Sequence, residues 1–315
     1  MRNLTTTVSP HIHDGSSARR IMLDVIIALI PAFIAATIFF GPQVLVLSIV
    51  TISAAVVFEL LFRLATKRDV SEMFDLSGVV TAMIMVLGIP ANTPIWVSVM
   101  AVGVAIVVIK QLLGGIFKWK GVNPALVGHI VVTVLVVNAV HPAPMAWLSE
   151  YASVDAITTA TPIQLLLDGQ PRPSLWELFI GLHSGVMGGT STLALLLGGA
   201  YLVWRRVISF IIPLASIGAA ALVAVTLAGL DVAVPLLFSG SFVFVAIFMA
   251  TDYATSPISL KGKIIFGIGF GLIVVLLRLV FGFTASLTAA LLVMNLLVPV
   301  IDKFTLPKVF GHNRR

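Results

Sequence analysis

Not one of the 315 residues is cysteine, and only 10% are charged. The first absence excludes disulfides, thiolate metal sites and an iron–sulfur cluster held by this chain alone. Any redox role therefore needs an organic cofactor. The second absence excludes a soluble globular domain, whose surface needs about 25% charged residues. There is also no Walker loop, no G-x-G-x-x-G after a strand, and no Ser/His/Asp constellation. The only histidine spacing of note is His11-Ile12-His13. No metal site, hydrolase, nucleotide site or nucleic-acid partner is read from these residues. What the chain does have is apolar surface: 59% of residues are hydrophobic and the mean hydropathy is +1.12.

The composition indicates an all-α polytopic membrane protein. Ten apolar segments stand out, at roughly 21–40, 43–64, 76–90, 94–113, 124–141, 184–204, 206–229, 235–251, 262–282 and 284–302. The third and eighth are short for about 30 Å of hydrocarbon and contain or border Gly, Pro and Asp. Interrupted segments of this kind often line a site in transporter-like folds. With the N-terminus inside, 17 of the 19 Lys and Arg residues fall inside, and only Arg172 and Arg278 fall outside. The positive-inside rule thus predicts ten transmembrane helices with both termini cytoplasmic, and it accounts for the net charge of +6. No cleavable signal is visible, and a cell (inner) membrane location is expected.

The order of motifs repeats. Leu76-Ser77-Gly78 recurs as Phe238-Ser239-Gly240, Asn92-Thr93-Pro94 as Thr255-Ser256-Pro257, and Lys110 to Gly114 as Arg278 to Gly282. The offsets drift from 162 to 163 to 168 residues, as in diverged repeats. Five spans per unit put equivalent loops on opposite faces, so the prediction is two inverted five-helix repeats. Residues 1–20 then form a cytoplasmic segment, 21–141 the first repeat, 142–183 an extracytoplasmic loop, 184–302 the second repeat, and 303–315 a cytoplasmic tail. Inverted repeats are typical of proteins that move something across the membrane.

Polar groups inside spans need a reason, because a buried charge costs about 2.5–3.5 kcal/mol on insertion. Asp24 lies one turn past Arg20, and Glu59 one turn before Arg63. Both read as ion pairs near the inner face or as part of a cation or cofactor path. Arg278 is either a snorkelling side chain or the holder of a phosphate or anionic ring near the outer face. Gly181 to Gly199 is crowded with small residues. It reads as close helix packing, or as a helix start at Thr190–Thr192, with Thr190 and Ser191 facing a ligand. The outer loop carries Asp155-Ala156-Ile157-Thr158-Thr159-Ala160-Thr161, which is a turn by itself or an acceptor for a group attached from outside.

Several of these motifs carry a resemblance. Ser9-Pro10-His11, Arg20-Ile21-Met22, Lys110-Gln111 with Gly114-Gly115, Asn123-Pro124-Ala125-Leu126, Phe248-Met249-Ala250-Thr251-Asp252, Met294-Asn295 and the Asp302 to Gly311 tail cover nearly the whole chain. Together they resemble the family of D subunits of Rnf ion-translocating ferredoxin:NAD oxidoreductase complexes. That family also takes in the B subunit of the sodium-pumping NADH:quinone oxidoreductase. The resemblance implies FMN joined through its phosphate to the last Thr of a motif like D-x-x-[S/T]-G-A-T. Here that maps onto Asp155, Thr158, Ala160 and Thr161, with Thr161 the acceptor. Thr159 stands where the family usually has Gly, which leaves Thr158 and Thr159 as competing acceptors. The resemblance further implies a non-covalent riboflavin, a flavin transferase, partner subunits including a flavin-bearing extracytoplasmic one, and coupled transport of sodium or protons. It makes the chain a subunit of a translocase, not catalytic alone. The short polar segment before the first span favours the Rnf type over the quinone reductase. Two other readings are a small-solute channel with an inverted repeat and a scaffold with a vestigial flavin site.

Overall fold

The structure is a computed structural model, and it describes residues 17–136, 165, 173–238, 241–279 and 285–306. The Asp155–Thr161 motif, Ser239-Gly240 and the tail from 307 lie outside the described residues. Among the described residues every regular element is helical.

The first half opens with two long helices, α1 (Ala18–Phe40) and α2 (Gln43–Ala65). Ser17 caps α1 by accepting from the Arg20 N–H at 3.3 Å, and Gly41, at φ 82°, turns the chain sharply into α2. After a 3₁₀ turn (Val70–Asp75) come the short α3 (Ser77–Leu87), the long α4 (Ile95–Ile116) and α5 (Pro124–Leu135). Asn123 caps α5 and Pro124 occupies its first turn. From Val104 to Ile116, α4 widens into a π-helix.

The second half begins with α6 (Leu175–Ile180) and an irregular stretch to Ser191. It continues through α7 (Thr192–Trp204), α8 (Ile211–Ala228), α9 (Leu230–Phe238) and α10 (Phe242–Met249). The last two helices, α11 (Leu260–Leu279) and α12 (Ser286–Thr305), are long. α9 and α10 meet at a 59° bend, and α10 is again π-helical from Val245 to Met249.

Six of these helices, α1, α2, α4, α8, α11 and α12, are long and apolar enough to cross a membrane, and the bent α9–α10 pair, counted as one span, brings the number to seven among the described residues. Three more apolar segments form the shorter helices α3, α5 and α7. The protein is therefore a multi-pass membrane protein. The sequence expectation of a span beginning at 184 is corrected: α7 starts only at Thr192, because the Gly-, Ser- and Thr-rich stretch before it makes turns instead of a helix. The long helices turn large side chains outward, as lipid-facing helices do; Ile34, Ile49 and Leu222 are 56%, 64% and 68% exposed. The interior is built from the short elements. Ala82 to Leu87 of α3 and Phe242 to Met249 of α10 are buried on every side. Small and hydroxyl residues let the helices close up. Thr51 on α2 meets Ser98 on α4 at 2.6 Å, and Gly267 and Gly271 of α11 lie against Ile212, Ser216 and Ala220 of α8.

Candidate functional site

The two short, buried elements both open onto one cavity of about 350 Å³. Val80, Thr81 and Ile84 of α3 and Ile247 and Phe248 of α10 form apolar and hydroxyl walls, with Met22 and Val25 of α1 beside them. The π-helical stretches of α4 and α10 both contribute lining residues. Such widened turns recur at functional sites because they displace side chains from ordinary helical register.

A charged network forms the rim. Glu59, 3% exposed, receives three hydrogen bonds from two consecutive residues of the π-helix. Lys110 Nζ donates to both carboxylate oxygens at 2.9 Å, and Gln111 Nε2 donates to Oε1 at 2.7 Å. Arg63 is the expected i,i+4 partner but stands farther off, at 3.5 Å. Its Nη1 donates instead to Glu72 and to the Asp69 carbonyl, both at 2.8 Å, while its Nε has no hydrogen-bond partner among the described residues. Sequence spacing had offered only Arg63; the Lys110 contact needed the packing of α2 on α4.

Opposite this network, Asn123 ties the two halves together. Its Oδ1 caps α5, accepting from the Ala125 N–H at 2.9 Å, and its Nδ2 donates to Asp252 at 3.1 Å. The Thr255 hydroxyl also donates to Asp252 at 3.1 Å. Desolvation pushes the Asp252 carboxyl up from the usual range, opposed by the Ala254 N–H, Thr255 and Lys120. Asn123 and Asp252 entered the sequence reading only within motifs of a resemblance, and Thr255 only within the internal repeat, with no role of their own.

Asp24 is likewise paired otherwise than expected. Arg205, following α7, grips it through Nε and Nη2 at 3.1 Å each, and Tyr201 donates at 2.9 Å. This clamp joins α1 to α7, where sequence spacing had pointed to Arg20.

The remaining candidates sit elsewhere; Thr190, Ser191 and Arg278 do not line the cavity. Ser191 caps α7, its hydroxyl accepting from the Ala194 N–H at 3.3 Å, so this helix end is satisfied from within. Thr190 is fully buried and its hydroxyl has no partner among the described residues. Thr192 donates to the Phe238 carbonyl at 3.3 Å, and Arg278 reaches the Leu236 carbonyl at 3.5 Å. Both stretches thus converge on the last turn of α9. Arg278 does not snorkel: it is 4% exposed, and its Nε donates to Ser286 at 2.8 Å. Asp155, Thr158, Thr159, Ala160 and Thr161 lie outside the described residues.

Comparison with known proteins bears on the whole chain. A family model described as the NQR2, RnfD, RnfE family matches residues 5–311. Among curated proteins the chain is 37% identical to the D subunit of the Na(+)-translocating ferredoxin:NAD(+) oxidoreductase complex of Acetobacterium woodii, over 98% of this chain and 96% of that one. It is 33% identical to the D subunit of the proton-translocating ferredoxin:NAD(+) oxidoreductase complex of Clostridium ljungdahlii, over 98% and 97%. It is also 33% identical to the D subunit of the ion-translocating oxidoreductase complex of Sodalis glossinidius, over 96% and 98%. With a match of this length and relatives of this similarity, the chain belongs to the NQR2/RnfD/RnfE family.

Proposed function

We propose that this chain is the flavin-bearing D subunit of an Rnf-type membrane complex, which passes electrons from ferredoxin to NAD and couples them to the movement of sodium or protons. The observation that carries the reading is the end-to-end match to proteins named as D subunits of such complexes. Ten transmembrane helices in two inverted five-helix repeats fit the apolar segments. The described elements support the repeat: a short buried helix precedes Asn92-Thr93-Pro94 and a long helix in the first half. In the second, another short buried helix precedes Thr255-Ser256-Pro257 and a long helix. Both termini are then cytoplasmic, the membrane is the cell's inner membrane, and the loop with Asp155–Thr161 is outside.

FMN is joined to Thr161 through its phosphate by a flavin transferase acting on the outer side. Asp155, Thr158, Thr159 and Ala160 make the surrounding motif, and Thr190, Ser191 and Arg278 are the described residues assigned to its neighbourhood. A partner subunit with its own extracytoplasmic flavin delivers the electrons. Riboflavin is assigned to the cavity of about 350 Å³, on the grounds that its walls are apolar and that Gln111, Lys110 and Arg63 line it with donors. A flavin supplies one- and two-electron transfer. The chain's own residues supply the low-polarity walls of Ile84, Ile247 and Phe248, donors at Gln111 and Arg63, and a fixed positive rim at Lys110.

The test is in-gel flavin fluorescence of the denatured chain, purified from cells with an active flavin transferase and run beside Thr161→Ala. A fluorescent band that vanishes in the variant supports attachment at Thr161. A band that survives moves the acceptor to Thr158 or Thr159. A dark wild-type band sinks the covalent-flavin reading.

A further inference from the structure

In the first half of the molecule, the half-buried cation Lys110 brings its counter-ion with it. Glu59 of α2 fills a niche over Gly78, where any side chain would collide with its carboxylate, and Lys110 holds both oxygens. Under the repeat reading, Arg278 is the counterpart of Lys110, and α8 packs along α11 as α2 packs along α4. Yet α8 has no acidic residue between Ile211 and Ala228. The place that a carboxylate occupies in one half is left without one in the other.

Arg278 is 4% exposed, and no carboxylate pairs with it among the described residues. A guanidinium presents five donors. The two contacts described, Ser286 Oγ at 2.8 Å and the Leu236 carbonyl at 3.5 Å, engage two of them with neutral acceptors. An uncompensated buried charge is strongly unfavourable, so the site calls for an anion. Arg278 is the penultimate residue of α11, close to where a membrane helix reaches the headgroup layer, and the guanidinium fork matches phosphate oxygens.

We propose that Arg278, with Ser286, binds a phosphate oxyanion supplied from beyond the described residues. Two sources share this chemistry: the phosphoester joining flavin to Thr161, which rests on the function proposed above, and the headgroup of an anionic phospholipid, which does not.

The experiment compares the full chain as wild type, Arg278→Met and Arg278→Lys, prepared with and without active flavin transferase. Each preparation is delipidated and measured with and without added phosphatidylglycerol. Melting temperature is the readout. Where no phosphate is present, Arg278→Met removes a bare buried charge and raises Tm by about 3–6 °C. Where phosphate is bound, the same change lowers Tm, and Arg278→Lys follows the wild type in sign. A reversal that tracks the transferase identifies the flavin phosphoester, and one that tracks phosphatidylglycerol identifies the lipid. If Arg278→Met shifts Tm in one direction in every preparation, or never folds, the charge is neutralised or used by the chain itself and the proposal falls. If the wild type takes no flavin, the flavin-attachment reading has failed separately, and the phosphatidylglycerol arm alone decides.

Discussion

Between α2 and α4 the carboxylate of Glu59 is surrounded by Lys110, Gln111 and Arg63. Glu59→Gln leaves Lys110 as an uncompensated cation whose side chain is 17% exposed, and is expected to cost about 3 kcal/mol. Adding Lys110→Met removes the orphaned charge and recovers much of that loss. A double-mutant cycle by denaturant unfolding in detergent reads this directly; strictly additive single effects would show that the two groups do not neutralise each other. His183 makes a second residue-level case. It is 3% exposed, and both ring nitrogens face carbonyl oxygens, Ser184 at 3.0 Å and Thr190 at 3.1 Å. A neutral imidazole has one N–H for these two acceptors. Burial nevertheless dominates and holds His183 below the usual histidine range, against the pull of both carbonyls. The unfolded chain therefore takes up the proton first as pH falls. Stability from this group is complete above about pH 6.5, the unfolded value, and is lost as pH drops from there toward the folded pKa. The Tm of wild type should fall across that window while His183→Phe stays flatter; parallel curves would remove His183 from the account.

At the scale of helices, the crossing of α1 and α7 depends on one missing side chain. A Cβ at Gly198 would run into the carbonyl of Ala28, whereas one at Gly218 on α8 would meet nothing within 4 Å. Gly198→Ala is thus expected to destabilise by about 1–3 kcal/mol through forced separation of the helices. Gly218→Ala should be neutral or gain up to about 1 kcal/mol in helix propensity. Equal effects in thermal unfolding would mean that the α1–α7 crossing yields freely. The same crossing marks what sequence reading can reach. Long apolar helices such as α1 and α11 are legible because twenty apolar residues have few other uses. The clamp of Asp24 by Arg205 is not, since it joins residues 181 positions apart and local spacing offers Arg20 instead. Nor does composition mark Val104–Ile116 as π-helical, although that widening accompanies the convergence of the adjacent Lys110 and Gln111 on one carboxylate. The late start of α7 has a local signal, the Gly, Ser and Thr residues before Thr192, but average hydropathy hides it. The proposal of Thr161 as acceptor rests on the resemblance alone, because a threonine-rich loop has no physical property that separates an acceptor from a turn.

For the molecule as a whole, sidedness rests on α5. Its twelve helical residues, Pro124–Leu135, extend about 18 Å, well short of the roughly 30 Å of hydrocarbon. If α5 and the residues after it do cross, Lys118 and the Asp155–Thr161 motif lie on opposite sides, the odd count of five spans per half holds, and the repeat is inverted. If they do not, the motif lies on the side of the basic rim and out of reach of a transferase working outside. The absence of cysteine makes the question directly measurable, because a single introduced thiol is the only one in the chain. Ser153→Cys should react with a membrane-impermeant maleimide in intact cells stripped of their outer layer, while Lys118→Cys and Lys261→Cys should react only after the membrane is opened. The three positions are separated by one and then three spans under the ten-helix reading, so they test the odd count twice. Labelling of Ser153→Cys and Lys118→Cys from the same side would make α5 re-entrant. That result would cancel the inverted repeat and, with it, the pairing of Arg278 with Lys110 as counterparts, while leaving the family membership of the chain untouched.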